Sequence, residues 1–219
     1  MDKLRLRFEK TGKAVYISHL DLMRVVQRIF LRAGTPIKYS EGFNPHALIS
    51  ICLPLSVGMA SECELMDFRV TRDVDLAALP GKLNAVSPEG VRFLAAYEPE
   101  RKAALIKWLR VRCEFEYDAR ETAALLPELE AYFAAPQVTV TRRTKRGEGE
   151  FDLAPNLRDA AWTAEPGLIT LECLISAQEP TVNPELLAAS LREHAPELAP
   201  DFARFTRLET YDADLAVFR

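Results

Sequence analysis

A chain of 219 residues, 48% hydrophobic and 27% charged, has the composition of a folded globular protein, long enough for one large domain or two small ones. It contains no apolar run long enough for a membrane span, and its N-terminus alternates charge and apolarity where a signal peptide would carry an apolar core. A cytoplasmic protein with no membrane contact is expected. The net charge of −4 argues against nucleic-acid binding by the whole surface, yet residues 1–50 hold nine Lys/Arg against four acids. An anionic partner can therefore meet the N-terminal half.

In chain order, residues 4–8 alternate with period two, as a half-buried strand does. Residues 18–33 place Leu22, Val25, Val26, Ile29 and Ala33 on one helical face, and Gly34-Thr35-Pro36 ends that helix. Strands at 49–53 and 62–70, a helix near 73–84 and a strand at 91–96 complete a βαββαβ order, the ferredoxin-like pattern. The second half repeats it: strand 106–117, helix 119–134, a strand beginning at 138–141, strand 168–175, helix 184–194 and strand 202–211. Residues 144–163 form a polar hairpin or insertion without a place in that scheme. The fold class expected is α+β: two ferredoxin-like units in tandem, with mainly antiparallel sheets and helices on one face. The seam at 98–102 divides a domain of residues 1–99 from one of residues 103–219.

Cys52, Cys63, Cys113 and Cys173 are scattered, and none lies within four residues of another, so zinc or iron–sulfur ligand spacing is absent. No metal or cofactor is expected. Cys52, Cys113 and Cys173 fall in apolar runs, where a thiol acts as a small hydrophobe. The chain also lacks a P-loop, a Rossmann fingerprint, HExxH and GxSxG.

Candidate site residues gather in the first half. Tyr16-Ile17-Ser18-His19-Leu20-Asp21 opens the first helix. Ser18 reads first as its N-cap, with Asp21 completing a capping-box-like arrangement. His19 falls in the first turn, free to exchange a hydrogen bond with a ligand. Arg24, Arg28 and Arg32 recur every fourth residue and form a cationic stripe, either a solvated helix face or a surface that tracks phosphates. In Lys38-Tyr39-Ser40-Glu41-Gly42-Phe43-Asn44-Pro45-His46, Gly42 and Asn44-Pro45 force a tight loop. There Phe43 can stack on a base, Asn44 can read a polar edge and His46 can transfer a proton. The competing reading is a rigid turn in which Phe43 plugs the core. Arg142, Arg143, Lys145 and Arg146 form a second basic cluster at a hairpin tip, suited to gripping nucleic acid or to blocking edge aggregation.

Together, Tyr16-Ile17-Ser18-His19-Leu20-Asp21-Leu22, Ser40-x-Gly42-Phe43-Asn44-Pro45-His46 and Pro54-Leu55-x-x-Gly58-x-x-Ser61 resemble an uncharacterised family of radical-SAM-associated proteins. That domain of unknown function occurs alone or fused behind a cobalamin-binding radical SAM module. The likeness is strongest in residues 3–70 and extends through Arg142-Arg143-Thr144-Lys145-Arg146-Gly147 and Asp152-Leu153-x-Pro155 to Arg207-x-Glu209-x-Tyr211. Ala47 departs from it, because the family pattern places a second proline there. The resemblance implies a separate radical SAM enzyme as partner, since this chain has no CxxxCxxC motif of its own.

Three functions follow as expectations. The first is an accessory substrate-recognition protein for RNA that performs no radical chemistry itself. Sites for it are Ser18, Arg24, Arg28, Arg32, Lys38, Ser40, Phe43, Asn44, His46, Arg142, Arg143 and Lys145. The second is a metal-independent RNA-processing or RNA-modifying enzyme using His46 with Tyr16 or His19. The third is a protein–protein adaptor that docks on the radical SAM partner.

Overall fold

The computed structural model describes residues 3–144 and 147–219. These residues form a mixed α+β protein with four α-helices and mainly antiparallel strands. It divides into two compact units, the first ending at Leu105 and joined by Arg219, the second running Ile106–Phe218. None of its described helices is long and apolar enough to cross a membrane.

The first unit runs β1 (Lys3–Lys10), α1 (His19–Arg32), β2 (Ile49–Ile51), β3 (Ala60–Arg69), α2 (Leu79–Asn84) and β4 (Val91–Tyr97). Its strands are ordered β4-β1-β3-β2, with every neighbour antiparallel. Alternation along β1 sends Leu4, Leu6 and Phe8 to one face. There they meet Leu22, Val26, Ile29 and Phe30 of α1 and Leu79 and Leu83 of α2 in one core. Arg5 leaves the opposite side of the strand, fully buried, and its Nε donates to Asp67 at 2.6 Å in the cross-strand pair Arg5–Asp67. Burial would raise the Asp67 carboxyl, but hydrogen bonds from Arg5 and Lys3 outweigh it and hold the group below its ordinary value.

Two details differ from the sequence expectation. Val25 and Ala33 only flank the core, and Phe30 takes the buried place. Helix α2 begins at Leu79 and not near 73, because Asp75 Oδ1 accepts from the N–H groups of Ala77 and Ala78 and turns the chain first.

The second unit runs β5 (Trp108–Glu116), α3 (Thr122–Phe133), β6 (Thr139–Thr144), β7 (Gly147–Asp152), β8 (Leu157–Glu165), β9 (Leu168–Ser176), α4 (Glu185–His194) and β10 (Phe202–Tyr211). Its main sheet is ordered β10-β5-β9-β8, again antiparallel. Strands β6 and β7 pair only with each other, as an inserted hairpin. The strand expected at 138–141 therefore belongs to this insertion. The sheet position it was expected to fill goes to β8, from the stretch that had no place in the scheme.

Cys63, Cys113 and Cys173 are buried and Cys52 is half-buried, all as free thiols. Cys52 and Cys63 thus exchange the roles their surroundings in the sequence suggested. Burial pushes the Cys52 thiol up to about 11, and burial with the neighbouring Cys173 pushes Cys113 up as well. Neither is an activated nucleophile.

Candidate functional site

Helix α1 starts where the sequence signals it. Ser18 is its N-cap: Oγ accepts from the Asp21 N–H at 3.2 Å and donates to Asp21 Oδ2 at 2.7 Å. Asp21 Oδ1 in turn accepts from Arg24 at 2.7 Å. The Ser18 hydrogen bond, then the one from Arg24, lowers the Asp21 carboxyl. Ser18, Asp21 and Arg24 therefore serve the helix start and one another. Tyr16 is exposed beside this cap, and His19 is half-buried in the first turn.

The loop after α1 is built as a narrow-necked projection. Ile37 pairs with Val70, and Tyr39 with Ala47. The Ser40 N–H donates to the His46 carbonyl at 2.8 Å, and the Leu48 N–H to the Lys38 carbonyl at 2.9 Å. Residues 41–46 bulge into solvent from that neck, with Gly42 at φ +118, which an L side chain rarely adopts. Ala47, which follows this projection, is buried and packs into the core of the first unit, as does Ile37 before it. The ladder bonds here come from the Ser40 and Leu48 N–H groups, so a proline at position 47 would remove none of them.

Phe43 stands fully exposed at the tip of this loop. It does not plug the core. At the neck, Ser40 Oγ accepts from the His46 N–H at 3.0 Å and lies 2.8 Å from His46 Nδ1. The Ser40 hydroxyl, with one proton and two lone pairs, can act as donor or acceptor toward Nδ1, so this contact pins the ring orientation and leaves Nε2 as the outer nitrogen. Asn44 and Pro45 are exposed beside it. The loop thus presents an aromatic face, an amide and an imidazole within four residues.

The arginine stripe lies elsewhere on α1. A cleft of ≈ 140 Å³ separates the loop base from the helix, lined by Tyr39 and Ala47 on one side and Gln27, Phe30 and Leu31 on the other. At about 100° per residue, Arg24, Arg28 and Arg32 project from the far side of the line through Leu31. Arg28 and Arg32 are exposed and have no ion pair among the described residues. His19 sits near the opposite end of the helix from the cleft, about 12 Å along the axis from Gln27. No hydrogen bond joins His46 to Tyr16, Ser18 or His19; its described side-chain partner is Ser40. Sequence periodicity passed over Leu20, Leu31 and Tyr39, all exposed. The only sequence signal of Leu20 and Leu31 was position on the polar side of the helical wheel, and Tyr39 lies beyond the helix.

The second basic cluster belongs to the second unit. The β6–β7 hairpin is anchored at α4, where the Thr141 N–H donates to Glu193 Oε2 at 2.8 Å and Val140 is fully buried. Opposite Arg142 stands Gly149, and its guanidinium lies 4.9 Å from the Phe151 ring centroid. Arg143 is exposed and faces Glu148 across the hairpin. Lys145 and Arg146 lie outside the described residues. Among the described residues, no trio of His, Cys, Asp or Glu is placed to hold a metal ion.

The sequence model of a family described as an uncharacterized protein conserved in bacteria matches residues 3–184. The match takes in α1, the 40–46 loop and the β6–β7 hairpin. No curated protein matches the chain.

Proposed function

We propose that this chain, which belongs to the DUF2344 family of uncharacterized proteins conserved in bacteria, is a substrate-recognition protein that binds single-stranded RNA for a separate enzyme. The observation that carries this reading is Phe43, a large apolar side chain held in full contact with water on a pinned loop. Leaving a phenylalanine there forgoes the burial that normally stabilises a fold, while the same ring offers a platform for an unstacked base. Asn44 and the His46 imidazole supply polar contacts beside it, and Lys38 at the neck supplies a cation for phosphate.

The repeated βαββαβ order supports the reading by analogy. We take the two units as tandem ferredoxin-like domains, 1–99 and 103–219, a topology shared with single-strand RNA-binding modules. The partner that the resemblance implies is a radical SAM enzyme, which would perform the chemistry while this chain holds the substrate. An autonomous RNA-cutting role for His46 finds less support, because His19 and Tyr16 stand at the far end of α1 from the loop neck.

The test is a fluorescence-anisotropy titration of a labelled single-stranded oligoribonucleotide between about 50 and 200 mM salt. Binding should weaken as salt rises, and Lys38→Ala should lower the slope of log affinity against log salt by about one. Affinity indifferent to ionic strength counts against the proposal.

A further inference from the structure

The outer face of α1 is used neither by the core nor by the 40–46 loop. Opposite the buried arc of Leu22, Val26, Ile29 and Phe30, Leu20 and Leu31 are 67% and 76% exposed. Eleven residues bring a helix back to within about 20° of the same azimuth, so the two leucines share a line roughly 16 Å long. Exposed Tyr16 precedes one end of this line, and exposed Tyr39 flanks the other across the cleft. Arg24, Arg28 and Arg32 form a ridge along one side. Arg24 is held by Asp21, whereas Arg28 and Arg32 have no ion pair among the described residues. A single exposed leucine is ordinary. Two in register, bounded by tyrosines and edged by arginines, have the composition of an interface core with a charged rim.

We propose that this face docks an amphipathic helix from a separate protein, with carboxylates four residues apart along the edge that meets Arg28 and Arg32. Charge decides the occupant. Acidic groups complement two guanidinium groups that the fold leaves to solvent. RNA would use the arginines, but its bases stack on planar groups, and Leu20 and Leu31 offer none. A second copy packed through the same face would bring two arginine ridges close together. The proposal does not rest on the RNA reading, because Phe43 lies on the loop and not on this line.

Two synthetic helical peptides test it against the full chain. Each carries leucines eleven residues apart, and its flanking i, i+4 positions hold glutamates in one peptide and lysines in the other. The glutamate peptide should bind at least tenfold more tightly, and its binding should weaken with salt. The double variant Arg28→Glu, Arg32→Glu should reverse the preference, and Leu31→Ser should weaken binding at least fivefold. All three positions are exposed, so an unchanged melting temperature confirms folding. Phe43→Ala should leave peptide binding intact, so this reading and the RNA reading fail separately. Equal affinity for both peptides, no binding of either, or a preference that survives the charge reversal would overturn the proposal. So would a dimer in sedimentation that Leu31→Ser dissociates, or RNA affinity lost in the arginine variant.

Discussion

Replacing Phe43 by alanine separates what an aromatic ring does for folding from what it does for binding. The ring is fully exposed at the loop tip and takes part in none of the aromatic pairs of the first unit, which are Phe8–Phe93 and Phe30–Phe68. Removing it withdraws no buried apolar area, so the stability change should stay within about 0.5 kcal/mol, the range of ordinary surface substitutions. The neck persists, because Ser40 and His46 hold each other through backbone and side chain without reference to Phe43. Binding should respond differently. Loss of one base–aromatic stack costs about 1–3 kcal/mol, equivalent to roughly 5- to 150-fold in affinity. Phe43→Trp should retain most of the affinity, since it keeps a stacking face. Thermal melts and anisotropy titrations on the same three proteins give both quantities. A melting temperature lowered by several degrees would mean that the ring packs in solution. An unchanged RNA affinity would remove the loop from the binding account.

Other positions give independent checks. Ser18→Ala should cost about 1 kcal/mol in chemical denaturation, the usual loss for an N-cap, with RNA affinity unchanged, since the Ser18 hydroxyl is engaged by Asp21. Gly90→Ala should destabilise by more than about 2 kcal/mol, because Gly90 has φ +85 and a Cβ there would sit 2.3 Å from the Thr11 carbonyl oxygen. Asp67→Ala should cost about 3–5 kcal/mol, because the fully buried Arg5 guanidinium loses its carboxylate. The lowered Asp67 carboxyl also predicts a pH effect. Below about pH 4 the unfolded chain takes up the proton more readily than the folded one, so this part of the stability, complete above that value, is lost as pH falls further. Asp67→Asn should flatten the fall in melting temperature between about pH 5 and pH 2. An unaltered slope would show that another carboxylate governs acid unfolding.

The parts of the site that were legible in the sequence are those set by local chemistry. Ser18 and Asp21 cap α1 through hydrogen bonds spanning three residues, an arrangement written entirely in neighbouring side chains. Gly42 and Asn44-Pro45 mark a loop for the same reason. The direction in which a loop tip points has no such local code. Phe43 in the core and Phe43 in solvent are compatible with one sequence; in the fold Phe43 is exposed, and Ala47 is the residue buried next to the neck. Likewise, spacing placed Arg24, Arg28 and Arg32 on one ridge. Whether that ridge borders the loop depends on which side of α1 the returning chain follows, and it follows the Gln27–Leu31 side.

By itself, the sequence determined the periodicities: β1 with Leu4, Leu6 and Phe8 on one face, α1 with a buried arc, and the βαββαβ order of the first half. These survive because amphipathic spacing reports which face of an element is buried, whatever buries it. Tertiary structure decided what lies across from each face. A β-branched run such as Val138-Thr139-Val140-Thr141 has the same signature in a central sheet or an isolated hairpin, and pairing alone assigned it to the hairpin while β8 joined β9. Phe30 displaced Val25 from the core through contact with Phe68, a choice made by the volume available between helix and sheet, which no single segment encodes.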